Sequence, residues 1–102
     1  MDRIAMLSEI LSQNPDDAFA RYGLAMEYSN TGDVERSLAE FGLLLKTHPD
    51  YTAGYFMAAQ TLARAARAEE AKKMLADGIA SATKNGNAHA QGEMEAMLAD
   101  LA

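Results

Sequence analysis

The chain has 102 residues, enough to bury one core and too few for two. Its hydrophobic share of 49% excludes a disordered chain, and the absence of Cys excludes disulfides, a thiol nucleophile and a thiolate metal site. Nine Lys and Arg against fifteen Asp and Glu give a net charge of −6, which argues against a nucleic-acid or anionic-membrane surface. Ala, Leu, Met and Glu dominate while Val, Ile and Thr are scarce, so the fold class expected is all-α.

Residues 2–13 carry Ile4, Leu7, Ile10 and Leu11 on one side at helical spacing. No signal-type apolar stretch follows Met1-Asp2-Arg3-Ile4, and no run approaches the roughly 18 apolar residues of a membrane span, so a cytoplasmic chain is expected. Asn14-Pro15-Asp16-Asp17 breaks the first helix and signals the next, because Pro15 cannot continue a helix and the acids suit a helix N-terminus. Residues 17–30 then carry Phe19, Tyr22, Ala25, Met26 and Tyr28.

Asn30-Thr31-Gly32-Asp33 is the second break, with Gly32 suited to a left-handed stop and Asp33 to a cap. Residues 34–47 show a clean stripe of Val34, Leu38, Phe41 and Leu45, closed by His48-Pro49-Asp50. Propensity alone would then draw one helix of about thirty residues over 51–84, since Ala65-Ala66-Arg67-Ala68 holds no breaker. Lys84-Asn85-Gly86-Asn87 ends that stretch, and 88–101 carries Met94, Met97, Leu98 and Leu101.

An internal period resolves 51–84. Pro15-Asp16 and Pro49-Asp50 lie 34 residues apart, and a shift of 34 puts Ile4, Leu7, Ile10 and Leu11 on Leu38, Phe41, Leu44 and Leu45. A second shift puts Ser37 on Ala71, Phe41 on Leu75 and Leu45 on Ile79; Tyr22, Ala25 and Tyr28 fall on Phe56, Ala59 and Leu62. The period therefore divides 51–84 into two helices.

A 34-residue helix–turn–helix period resembles the tetratricopeptide repeat over 18–84. Leu24-Ala25 stands where that family has Leu-Gly, Tyr28 takes its Tyr, Phe41 its Phe and Pro49 its closing Pro. In the second unit Tyr55, Ala59, Leu62, Ala71 and Leu75 take the corresponding places. Arg21 departs from the family's Trp, Ser37 and Leu44 from its two small Ala positions, Ala58 from its Leu, Ala66 from its turn Gly and Thr83 from the second closing Pro. The resemblance implies antiparallel hairpins stacked as a short right-handed solenoid of about six helices in one domain, 1–102. Its parts are a half-repeat helix at 2–13, repeats at 18–51 and 52–85, and a capping helix at 88–101 that covers an otherwise bare end.

The resemblance also implies a concave face built from first helices, where a partner protein or peptide docks. Phe19, Tyr22, Met26, Ser29 and Asn30 come to it from the first unit, and Ala53, Phe56, Met57, Gln60 and Arg64 from the second. Tyr22, Met26 and Phe56 are the expected anchors, because aromatic and Met side chains give large adaptable contact area. Gln60 and Arg64 are the expected orienting groups. A carboxylate grip through Lys, used in one branch of the family, is not expected, since 17–30 and 52–64 contain no Lys. Two alternatives stay open: the face is filled by the chain's own flanking helices, or the same face or the end helices pair two copies as a homodimer.

No catalysis is expected, for there is no Gly-rich phosphate loop and no Ser, His and acid in a recognisable arrangement. No metal or other cofactor is expected either; His89 and Glu93, four apart, make only two ligands. Charge is uneven, with nine acids and four bases in 1–51 and six acids and five bases in 52–102. Arg64, Arg67, Lys72 and Lys73 form a local basic patch, with Glu69 spaced to pair with Lys73.

Overall fold

A computed structural model describes residues 2–102. Six helices follow one another: α1 (Arg3–Gln13), α2 (Ala18–Asn30), α3 (Val34–Thr47), α4 (Thr52–Arg64), α5 (Ala68–Lys84) and α6 (Ala88–Leu101). No strand occurs among the described residues, and the expected all-α class is what the chain adopts.

Local chemistry sets the ends. Asp2, Asp17, Asp33 and Asn87 each turn a side-chain oxygen onto an orphan amide of the helix that follows, at 2.8, 2.9, 3.3 and 3.1 Å. Three helices end in one shared turn. The Asp33 amide donates to the Tyr28 carbonyl, Arg67 to Leu62 and Asn87 to Ala82, each at 2.9 Å, around Gly32, Ala66 and Gly86. Those three residues have φ of 83°, 61° and 71°. Ala66 therefore takes the left-handed turn that the 34-residue phase demands, and the apparently unbroken stretch 51–84 folds into two helices.

Thr83 stands 34 residues after Pro49. Pro49 leaves α3 to end at Thr47, whereas α5 has no proline to stop it and runs to Lys84, three residues longer than α3. The next helix starts correspondingly late.

Each helix packs on its chain neighbours. Beyond that, α2 approaches α4 and α4 approaches α6, while the backbones of α1, α3 and α5 stay apart. Helices that converge on one side and splay on the other make a curved stack, so α2, α4 and α6 line the concave side. Ala25, Ala58, Ala59 and Ala71 are completely buried and let the backbones come close; Phe41, Leu44, Leu75 and Met94 fill the space around them. Ser37 is equally buried, and its hydroxyl is satisfied by donating to the Ala25 carbonyl at 2.8 Å.

Three of the four bases in the basic patch pair with acids of the chain, and the fourth, Arg64, bonds Gln60. Arg67 bonds both Glu70 and Glu35, Lys72 reaches Glu69, and Lys73 reaches Asp77 at 3.4 Å. The spacing had suggested Glu69 with Lys73; the acid instead meets the lysine one residue nearer. Its guanidinium contacts raise the pKa of Arg67, first through Glu70 and then through Glu35, and Arg67 in turn lowers that of Glu70.

Candidate partner-binding groove

On the concave side, α2, α4 and α6 enclose a groove of about 250 Å³. Tyr22 forms one wall, Ala53, Phe56 and Met57 the floor, and Ala90, Glu93 and Met94 the far wall. Tyr22 is held from behind. Its ring meets Phe41 edge-on, with centroids 6.3 Å apart, and tilts against Tyr51 at 5.4 Å. Burial raises the Tyr22 hydroxyl's pKa, with a smaller contribution from Tyr51. The aromatic wall is thus fixed before any ligand arrives, which lowers the entropic cost of binding.

The structure brings Tyr22, Phe56 and Met57 together in this groove. Met26 packs beside them against the cluster of Ala25, Phe41, Leu44 and Ala58. Ser29 and Arg64 lie apart, in a second hollow of about 170 Å³ near the turns, with Gly32, Val34 and Thr61. Ser29 and Thr61 join their hydroxyls at 2.8 Å, and Arg64 donates to the Gln60 carboxamide oxygen at 2.7 Å. Asn30 is exposed at the end of α2. Phe19 points elsewhere: it stands beside α1, 74% exposed, with Arg3, Leu7 and Ile10.

Sequence reasoning did not assign α6 to the groove. A shift of 34 carries Phe56 onto Ala90, so that inner position is legible in the repeat, but it sets Glu93 on the fully buried Ala59, because α6 starts two residues late. His89 pairs with Glu93 at 3.2 Å, and no group of three His, Cys, Asp or Glu side chains gathers among the described residues. A larger hollow of about 490 Å³ opens on the convex side between α3 and α5, over Leu38, Gly42, Leu62 and Met74. It follows from the splay of those helices, and the Arg67 ion pairs with Glu35 and Glu70 span its rim.

No family model matches the chain. Individual proteins do. A tetratricopeptide repeat domain protein from Salinibacter ruber, solved in solution, is 31% identical and superposes with a TM-score of 0.79 over 86% of this chain and 89% of its own. The chain belongs to the tetratricopeptide repeat family. A crystal structure of a tetratricopeptide repeat domain protein from the same organism gives 30% identity and a TM-score of 0.74, covering 83% of this chain and 96% of the other. A TPR repeat-containing protein of Pseudomonas aeruginosa is 28% identical over 93% of this chain and 90% of its own length. A Bordetella parapertussis protein, 21% identical, shares the fold at a TM-score of 0.84 over 99% of this chain and 88% of the other. Tetratricopeptide repeat domains generally serve as protein–protein interaction modules. No helix among the described residues of this family member is long and apolar enough to cross a membrane.

Proposed function

We propose that this tetratricopeptide chain is a non-catalytic module that binds a partner polypeptide in the groove between α2, α4 and α6. Residues 18–51 and 52–85 act as its two repeats, with 2–13 as a half-repeat helix and 88–101 as a cap, and Tyr22, Phe56 and Met57 receive the partner's apolar side chains. The observation that carries the reading is the bracing of Tyr22 by Phe41 and Tyr51 at the wall of an otherwise open apolar groove. Met57 on the floor adapts to the shape of what enters. Glu93 is the acid in the groove wall, so the favoured ligand carries a base at the α6 end. Phe19 stands too far toward α1 to take part, while Met26, Ser29, Asn30, Gln60 and Arg64 would guide a ligand that continues along α2 and α4.

Ala53 is exposed on the floor, so an Arg there blocks the groove without touching the core. The test is a pull-down from native lysate with wild type, Ala53→Arg and Phe56→Glu, each checked for helicity by circular dichroism. Proteins held by wild type and lost with both folded variants are expected. Proteins retained by both variants would place the binding surface elsewhere.

A further inference from the structure

By the 34-residue register α1 corresponds to α3 and α5. Those two helices are each flanked by a preceding first helix, α2 or α4, whereas α1 touches α2 alone. The uncovered flank of α1 carries Met6 and Ile10, 42% and 40% exposed, beside Phe19 of α2 at 74%. A notch of about 250 Å³ runs between them over Leu7 and Gly23. Arg3, near the start of α1, stands at one end and Asp17, the cap of α2, at the other. This notch shares no lining residue with the concave groove.

Two observations decide what fits there. The first is Arg3. Its counterparts at the 34-residue spacing are Ser37 and Ala71, both completely buried, and Ser37 touches the backbone of α2. Small residues at that position let a first helix lie close against the second. Arg3 fills the same place with a long charged side chain, held to Glu27 at 2.6 Å, so the notch is not shaped for one more hairpin helix. The second is self-complementarity. A projecting ring and the hollow beside it lie in one patch, with a cation at one end and an anion at the other. A two-fold axis through the middle exchanges the ends, which places Arg3 of each copy on Asp17 of the other and turns each Phe19 toward the opposite hollow. A closed symmetric interface requires a patch that complements itself in this way.

We propose that a second copy of this chain occupies the notch, forming a two-fold dimer through Phe19, Ile10 and Met6 with reciprocal Arg3–Asp17 pairs. Such a dimer leaves both concave grooves facing solvent, so it presents two partner sites rather than burying them.

Sedimentation equilibrium from about 10 μM to about 1 mM spans the range expected of a small interface. Wild type is expected to pass from monomer to dimer. Phe19→Glu is expected to weaken association more than tenfold with unchanged far-ultraviolet circular dichroism, because the ring is exposed and supports no core contact. Arg3→Glu weakens it less. Concentration-dependent amide shifts should fall within residues 3–23 and leave 53–57 and 87–94 still. A monomer throughout, a dimer indifferent to Phe19→Glu, or shifts confined to 53–57 and 87–94 would each overturn the proposal; the last would mean that copies pair through the groove instead.

Discussion

The hydroxyls of Ser29 and Thr61 lie 2.8 Å apart and join α2 to α4 at the far end of the concave face from Tyr22. Thr61 also donates to the Met57 carbonyl at 2.8 Å, which uses its proton. Ser29 is therefore the donor, and the three groups form a directed chain, Ser29 to Thr61 to Met57. Thr61 is almost fully buried, so the chain runs where water does not compete. Replacing Thr61 by Val should cost about 1 kcal/mol, and Ser29→Ala somewhat less. The double variant should lose less than the sum, because both substitutions break the same bond. Urea unfolding of the four proteins measures this directly.

Ala66 sits at φ 61° where Gly32 and Gly86 fill the other two turns. A Cβ in that region costs about 1–2 kcal/mol, and the greater freedom of an unfolded Gly returns part of the gain. Ala66→Gly should therefore stabilise the chain by roughly 0.5–1 kcal/mol. Gly32→Ala should do the reverse by a similar amount, despite open space around its missing Cβ. Denaturation midpoints moving in opposite directions for the two variants would establish the point.

Gly78 has an ordinary helical backbone but no room. A Cβ there would lie 2.5 Å from the Met94 sulfur and 2.6 Å from the Tyr55 Cβ. The sulfur can swing aside; the Tyr55 Cβ is fixed to its backbone. Ala is the better helix former by about 1 kcal/mol, yet the collision should win and leave Gly78→Ala about 1–2 kcal/mol less stable. The loss should be greatest in α6, which rests on this contact. Hydrogen exchange in 88–101 is expected to quicken more than in α2 or α3.

Tyr22, Tyr51 and Tyr55 all have pKa values raised above the usual 10.0, chiefly by burial. Asp17 adds to the shift at Tyr51, and Tyr51 adds to that at Tyr22. The unfolded chain then loses these protons at lower pH than the folded one. The stabilisation is complete below pH 10 and disappears as pH rises through the folded values. By absorbance, the phenolates of Tyr22, Tyr51 and Tyr55 should form above pH 10 in the native protein and at the ordinary value in urea. Tyr22→Phe should remove one of the late-titrating groups.

Much of the architecture can be read from the chain because its period is carried by residues with definite backbone consequences. Pro15 and Pro49 stop helices, Gly32 turns one, and the phase they share locates Ala66 although Ala has no turn preference of its own. The stripe through Phe41, Leu44 and Leu45 is equally legible. The concave face is less so. Phe19 falls on the same broad helical arc as Tyr22, and periodicity cannot tell the side facing α4 from the side facing α1; the absence of a Cβ at Gly23 and the neighbouring α1 decide it. Ala90 lies 34 residues after Phe56 and was within reach of the repeat, whereas Glu93 was hidden for another reason. Thr83 in the place of a proline lets α5 overrun by a turn, and that displacement breaks the register on which a reading of Glu93 would depend.

Since every helix leans mainly on the one before and the one after, the molecule has no central element around which the others gather. Order is passed along the row, and a disturbance at one end need not reach the other. The groove is the exception in the making. Its walls come from the second, fourth and sixth members of the row, so a ligand seated there would act as a clasp across segments that the backbone keeps separate, and melting in its presence should become sharper as well as later.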